Sequence, residues 1–164
     1  LATGFLNARR MPMKAHEDIL VFYDRLPLYN PIKSEGHKRK VIMAAHRKKC
    51  DAGEIYRKYD NYRDYSSTER YPRSVLRFKT DKQLSNLHSA QKPVALLEYL
   101  IRIYTDENDL VLDFAMGSGS CALACRNTGR RFVGIEIDPK IYTTALNRIT
   151  DEQHPGSMGG HSQL

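Results

Sequence analysis

The residues best suited to chemistry lie between Asp113 and Glu136: Asp113, Gly117, Gly119 and Glu136, with the hydroxyls of Ser118 and Ser120 beside the glycines. Glycines in a turn let backbone approach a ligand closely. A helix opening after such a turn offers unpaired N–H groups, and an acid closing the next strand accepts from ribose hydroxyls. Together these describe a nucleoside-binding crossover unit. Gly117-Ser-Gly119-Ser-Cys-Ala122 also satisfies the relaxed fingerprint Gly-x-Gly-x-x-Ala, which keeps a nicotinamide-dependent oxidoreductase open. In that fingerprint, however, the strand runs almost directly into the first glycine. Here Asp113 closes the strand and three residues intervene before Gly117. A carboxylate at that point suits an ammonium or sulfonium group better than a pyrophosphate. The alternative for Asp113 is a turn former that caps the loop.

The elements that must position these residues run from Gln91 to Ile149. Pro93 can occupy the first helical position, where a missing N–H costs nothing. Val94, Leu97, Ile101 and Tyr104 then recur at helical spacing, widened by Leu96, Leu100 and Ile103. Asp106 to Asp109 is a polar turn. Residues 110–114 read as a short strand of the kind buried in a parallel sheet. Residues 121–127 are helical, with Gly129 as C-cap. Residues 132–135 are the second strand, and Asp138-Pro139 opens another helix as N-cap and first position.

With those motifs in place, the segment from Gln91 to Ile149 resembles the C-terminal part of a DNA methyltransferase of the amino type, which methylates adenine N6 or cytosine N4. It is similar to the permuted bacterial and phage class in which the cofactor motifs come last. The residues that carry the resemblance are Lys92-Pro93, then Asp113-Phe114-Ala-Met-Gly117-Ser118-Gly119-Ser120, then Gly134-Ile135-Glu136. Ser120 stands where Thr is usual, and His88-Ser89-Ala90-Gln91 where His-Pro-Thr-Gln is common. The resemblance implies an α/β chain, a partial Rossmann-like S-adenosylmethionine-dependent methyltransferase fold with a basic recognition insertion. It implies S-adenosylmethionine as cofactor, contacted by Asp113, Phe114, Gly117, Ser118, Gly119 and Ser120. Glu136 would then take the ribose, and Lys92 and Pro93 would shape the methionine end.

The rest of the chain divides by composition. Ile19 to Tyr23 read as a strand in which Leu20 and Phe22 are buried, and the resemblance implies that residues 1–26 are the end of a catalytic half, with this strand part of a hairpin. His16 reads as a hydrogen-bonded structural histidine rather than a catalyst. Residues 27–88 are broken up by Pro27, Pro31, Gly36, Gly53 and Pro72. From Lys33 to Arg73, twelve Lys and Arg stand against six Asp and Glu, a formal +6. Lys38, Arg39 and Lys40, then Arg47, Lys48 and Lys49, form compact basic clusters. Such residues neutralise phosphates in a sequence-independent, salt-sensitive way. A solvated charged face is the alternative for any single one of them. The resemblance places target recognition here, with double-stranded DNA as partner.

Tyr56, Tyr59, Tyr62 and Tyr65 recur every third residue, flanked by Arg57, Lys58 and Arg63. They could line a short helix, either stacking on bases or forming a small satellite core. Residues 71–78 return to an extended, alternating pattern. Residues 89–150 are the cofactor-binding subdomain, and 151–164, rich in Gly, Ser and Pro, read as a disordered tail.

The whole chain carries +7 with 27% charged residues. That favours a polyanionic partner. No apolar run approaches the ~20 residues of a membrane span. The three cysteines form no Cys-x-x-Cys pair, no metal site is expected, and a reducing, cytoplasmic setting fits. The resembled family polarises the target amine with an Asp/Asn/Ser-Pro-Pro-aromatic tetrapeptide. None of the seven prolines here is adjacent to another, so no catalytic residue is assigned. The expectation is therefore a C-terminal part that needs an N-terminal catalytic half or second subunit. The alternative is a non-catalytic DNA- and cofactor-binding half of a split or decayed enzyme.

Overall fold

The computed structural model describes Arg9, Pro12 and residues 16–44, 64–79 and 91–150. These fall in two compact units, one within Leu1–Asn30 and Leu76–His161, the other within Pro31–Val75.

The first unit contains α1 (Val94–Tyr104), β3 (Leu110–Asp113), α2 (Ser120–Thr128), β4 (Arg131–Gly134) and α3 (Pro139–Thr150). Pro93 stands one residue before α1 with extended backbone, so the helix starts one position later than the sequence implies. Gly129 ends α2 in the left-handed conformation at φ 73°, a conformation that costs glycine little. Asp138 caps α3: its Oδ1 accepts the N–H groups of Lys140 at 2.8 Å and Ile141 at 3.2 Å. β3 and β4 pair in parallel, Leu110 with Arg131 through Asp113 with Gly134.

Side chains alternate across that pair. Val111 and Phe132 point to one face and pack on Ile101, Ala124 and Cys125 of α1 and α2. Leu112 and Val133 point to the other, where they are 60% and 45% exposed. One face of the parallel pair is thus covered by helices, while the side chains on the other are exposed.

Residues 19–23, expected as a strand, join no ladder among the described residues. Leu20 is 73% and Phe22 87% exposed. An apolar run becomes a strand only where a neighbour pairs its N–H and C=O groups, and no described segment does so. His16 is likewise exposed, its Nε2 3.6 Å from Asp18 Oδ1.

The second unit contains β1 (Lys40–Ile42) and β2 (Tyr65–Ser67), paired antiparallel with Lys40 opposite Ser67 and Ile42 opposite Tyr65. Tyr65 therefore belongs to a strand, not to the helix its spacing from Tyr62 implied. Tyr56, Tyr59 and Tyr62 lie outside the described residues, as does the 151–164 tail. Residues 71–75, with a bend at Ser74, join no ladder among the described residues, nor do 76–79 in the first unit, where Phe78 meets the ring of Tyr99 at 6.0 Å.

Candidate functional site

The ends of β3 and β4 are tied to each other by backbone. Ile135 N–H donates to the Asp113 carbonyl at 2.9 Å, and Met116 N–H donates to the Ile135 carbonyl at 3.0 Å. Between them the chain turns through Gly117 at φ 52° and Gly119 at φ 76°, both in the region that favours glycine. Gly119 has a second reason to lack a side chain. A Cβ there would stand 3.2 Å from Ala145 Cβ and 3.3 Å from Ile149 Cδ1, so glycine lets α3 close onto the start of α2.

Glu136 closes this turn. Its Oε2 accepts the Gly117 N–H at 2.9 Å and its Oε1 accepts the Asp138 N–H at 3.0 Å. A carboxylate offers about four lone-pair positions, so each oxygen keeps one for a further donor. The half-buried acid is thus fixed in orientation while still able to accept two hydroxyls. Asp113 does what its alternative reading foresaw: Oδ1 accepts the Ala115 N–H at 3.1 Å.

Ser118 and Ser120 are buried, and both hydroxyls face inward. Arg148 of α3, only 5% exposed, donates from Nη1 to Ser120 Oγ at 2.9 Å, to the Ser118 carbonyl at 3.1 Å and to Ser118 Oγ at 3.4 Å. The sequence reading missed Arg148. A signal existed, because Ile141, Ala145 and Arg148 share one face at i, i+4 and i+7, and an arginine is out of place on an apolar stripe.

Gly134 was read only as part of a motif, yet its lack of a side chain is enforced by packing. A Cβ at that position would collide with Met116 Sδ and lie 2.5 Å from Phe132 Cε1.

Of the remaining expected cofactor residues, Phe114 lies in the turn itself, directly after Asp113. Phe114 is 78% exposed. Lys92 Nζ pairs with Glu17 Oε2 at 3.1 Å. Among the described residues, no hydrogen bond ties Lys92 or Pro93 to the glycine loop.

Cys121 and Cys125 sit on α2 beneath the loop. Burial, with Cys125 and Asp113 adding to it, pushes the Cys121 thiol up to about 12; burial also raises Cys125. Burial thus disfavours the thiolate form of both.

In the second unit, Lys38, Arg39 and Lys40 are all exposed. The backbone that carries them is pinned, since Arg70 Nη2 donates to the Lys38 carbonyl at 2.7 Å and Ser34 and Arg70 exchange backbone hydrogen bonds. Lys33 is held by Glu69 at 2.8 Å and so is less available to a phosphate. Arg47, Lys48, Lys49, Arg57 and Lys58 lie outside the described residues. Among the described residues no group of His, Cys, Asp and Glu is arranged to hold a metal ion, and no helix is long and apolar enough to cross a membrane.

The profile of a family described as DNA methylase, of the N6/N4 type, matches residues 3–147. The type II methyltransferase M.HindIII of Haemophilus influenzae is 36% identical over 81 residues, 49% of this chain and 26% of that protein. The type II methyltransferase M2.DpnII of Streptococcus pneumoniae is 38% identical over 65 residues, 40% of this chain and 24% of that protein. The matched part thus spans about a quarter of these relatives' length. Among solved structures, the M1.HpyAVI–SAM complex shares 49% identity over 37% of this chain and 30% of that one, with a TM-score of 0.37.

Proposed function

Because the chain belongs to the N6/N4 family of DNA methylases, we propose that it supplies the S-adenosylmethionine-binding part of an enzyme methylating adenine N6 or cytosine N4 in double-stranded DNA. In this reading its cofactor motifs lie C-terminal to the catalytic ones, as in the permuted class. The observation that carries the reading is the Glu136 carboxylate held against the Gly117 N–H at the mouth of the glycine turn.

The donor set fits the group. Glu136 keeps one lone pair on each oxygen for the two ribose hydroxyls. The carboxylate of Asp113 stands one turn away, where it can accept from the ammonium of the methionine end. Gly117, at φ 52°, presents backbone without a side chain beside the acid, so that a ligand can approach closely. When bound, S-adenosylmethionine supplies an electrophilic methyl group on a sulfonium. The residues of this chain bind and orient; none is assigned to polarising the target amine, because the Pro-Pro-aromatic segment is absent from it.

Flipping the target base out of the stack requires a grip on the duplex. Lys38, Arg39 and Lys40 are exposed on a pinned backbone and suit phosphate contact, with Arg47, Lys48, Lys49, Arg57 and Lys58 as further contributors.

A second reading, a binding half that acts only beside a partner, is favoured by the exposed face of the β3–β4 pair. Parallel strands are ordinarily covered on both faces, whereas Leu110, Leu112 and Val133 are exposed. A segment carrying the Pro-Pro motif, in the same polypeptide or in a second subunit, would cover them.

The test is methyl transfer. The chain is mixed with a polypeptide that carries the missing motif, duplex DNA and methyl-labelled S-adenosylmethionine. Label in DNA only in the complete mixture is expected. Cofactor binding without any transfer would leave the non-catalytic reading in its place.

A further inference from the structure

Resting on the cofactor reading above, we infer that Arg148 is a positioning residue for that site, holding the Gly117–Ser120 turn from its interior side through Ser118 and Ser120. Three observations meet at this residue. Its guanidinium is buried, and one nitrogen reaches the Ser118 carbonyl and both serine hydroxyls at 2.9–3.4 Å. The contacts cross 28 and 30 residues of sequence, so they fasten α3 to the turn rather than shape either one locally. Gly119, between the two serines, approaches α3 so closely that a Cβ would meet Ala145 and Ile149.

Chemistry explains why both residues are serines. Arginine donates and never accepts, so each hydroxyl must act as acceptor toward it. Alanine at either position would remove an acceptor and leave a buried donor without it. Threonine would keep the acceptor. The serines therefore act on the ligand through the turn's backbone, with the Gly117 N–H and Glu136 on its outer side as the parts they steady.

The test is binding of S-adenosylhomocysteine to the full 164-residue chain by calorimetry, at a temperature where circular dichroism shows each variant folded. R148M is expected to weaken binding by about tenfold or more, the scale of one lost hydrogen bond to a charged group. R148K, which keeps a charged donor, should recover part of that loss. The S118A/S120A double variant should lose about as much as R148M, and the triple variant no more than either, because one clamp is broken in each case.

Wild-type affinity in R148M, even with a lowered melting temperature, overturns the inference and leaves the cofactor reading standing. Losses that multiply in the triple variant overturn it as well. If R148M does not fold, R148K and the serine double variant decide the matter by the same criteria. No binding by the wild-type chain is a different failure: it removes the cofactor reading itself.

Discussion

The carboxylate of Glu136 accepts the backbone N–H of Gly117 at 2.9 Å, across 19 residues of sequence. The end of the second strand thereby sets the first glycine of the turn that follows the other. A second bond, from the Asp138 N–H at 3.0 Å, fixes the other oxygen, so neither rotates freely. The acid is held in place by the same backbone that forms the turn. Its roles in the turn and toward a ribose are therefore coupled.

That coupling predicts a double effect for Glu136→Gln. The amide presents one oxygen and one NH2 group to two N–H donors, so one bond is replaced by a donor–donor clash. Stability should fall by about 1.5–3 kcal/mol, the range for a hydrogen bond to a charged group. Affinity for S-adenosylhomocysteine should fall as well. Urea denaturation and ligand titration of the same variant check both, and a loss of affinity with unchanged stability would show the turn to be independent of the acid.

Glycine substitutions should separate packing from conformation. Gly134→Ala meets Met116 Sδ and the Phe132 ring, with Phe132 Cε1 2.5 Å away. Overpacking of this kind costs about 1–3 kcal/mol. Gly119→Ala meets left-handed strain of about 1–2 kcal/mol together with the tight contact to Ala145. Gly36→Ala, also at positive φ but with open space around it, should show only the strain. Thermal unfolding of the three variants tests the order, which fails if Gly36→Ala is the most damaging.

Lys38, Arg39 and Lys40 should contribute mainly to the salt-dependent part of DNA binding. Removing all three charges should weaken binding on every sequence alike. It should also flatten the plot of log K against log salt by about 0.9 for each phosphate left without its cation. An unchanged slope would show these side chains to be a solvated face and nothing more.

The α2 thiols give a pH dependence with a definite sign. Burial raises Cys121 from 9.0 to about 12, so the folded chain keeps a proton that the unfolded chain releases near pH 9. Stability from this source is fully present below about pH 9 and is lost as pH rises toward 12. In a Cys50→Ser background, which removes the third thiol, the decline between pH 9 and 11 should be shallower after Cys121→Ala. Equal slopes in the two proteins would contradict the shift.

The site was more legible in the sequence than its surroundings. Asp138-Pro139 named its helix start because capping is local, and Gly129 named its helix end for the same reason. Val94 to Tyr104 announced its helix by period alone. Residues 19–23 misled because an apolar run does not reveal whether a neighbouring strand exists to pair with it. Tyr65 misled because a spacing of three fits one helix face, while its partner across the ladder, Ile42, is 23 residues away. Arg148 stood out on the apolar stripe of α3, but its role could not be read there, because its partners, Ser118 and Ser120, come near it only once α3 has folded back.

The central claim is that the turn and Glu136 form an S-adenosyl nucleoside site. The most direct measurement titrates the chain with S-adenosylhomocysteine and, separately, with NADH, in wild type and in Glu136→Ala. The account predicts saturable binding of the S-adenosyl compound, no comparable binding of the dinucleotide, and loss of at least about tenfold in the variant. Preference for the dinucleotide, or an affinity for S-adenosylhomocysteine that Glu136→Ala leaves untouched, would contradict it.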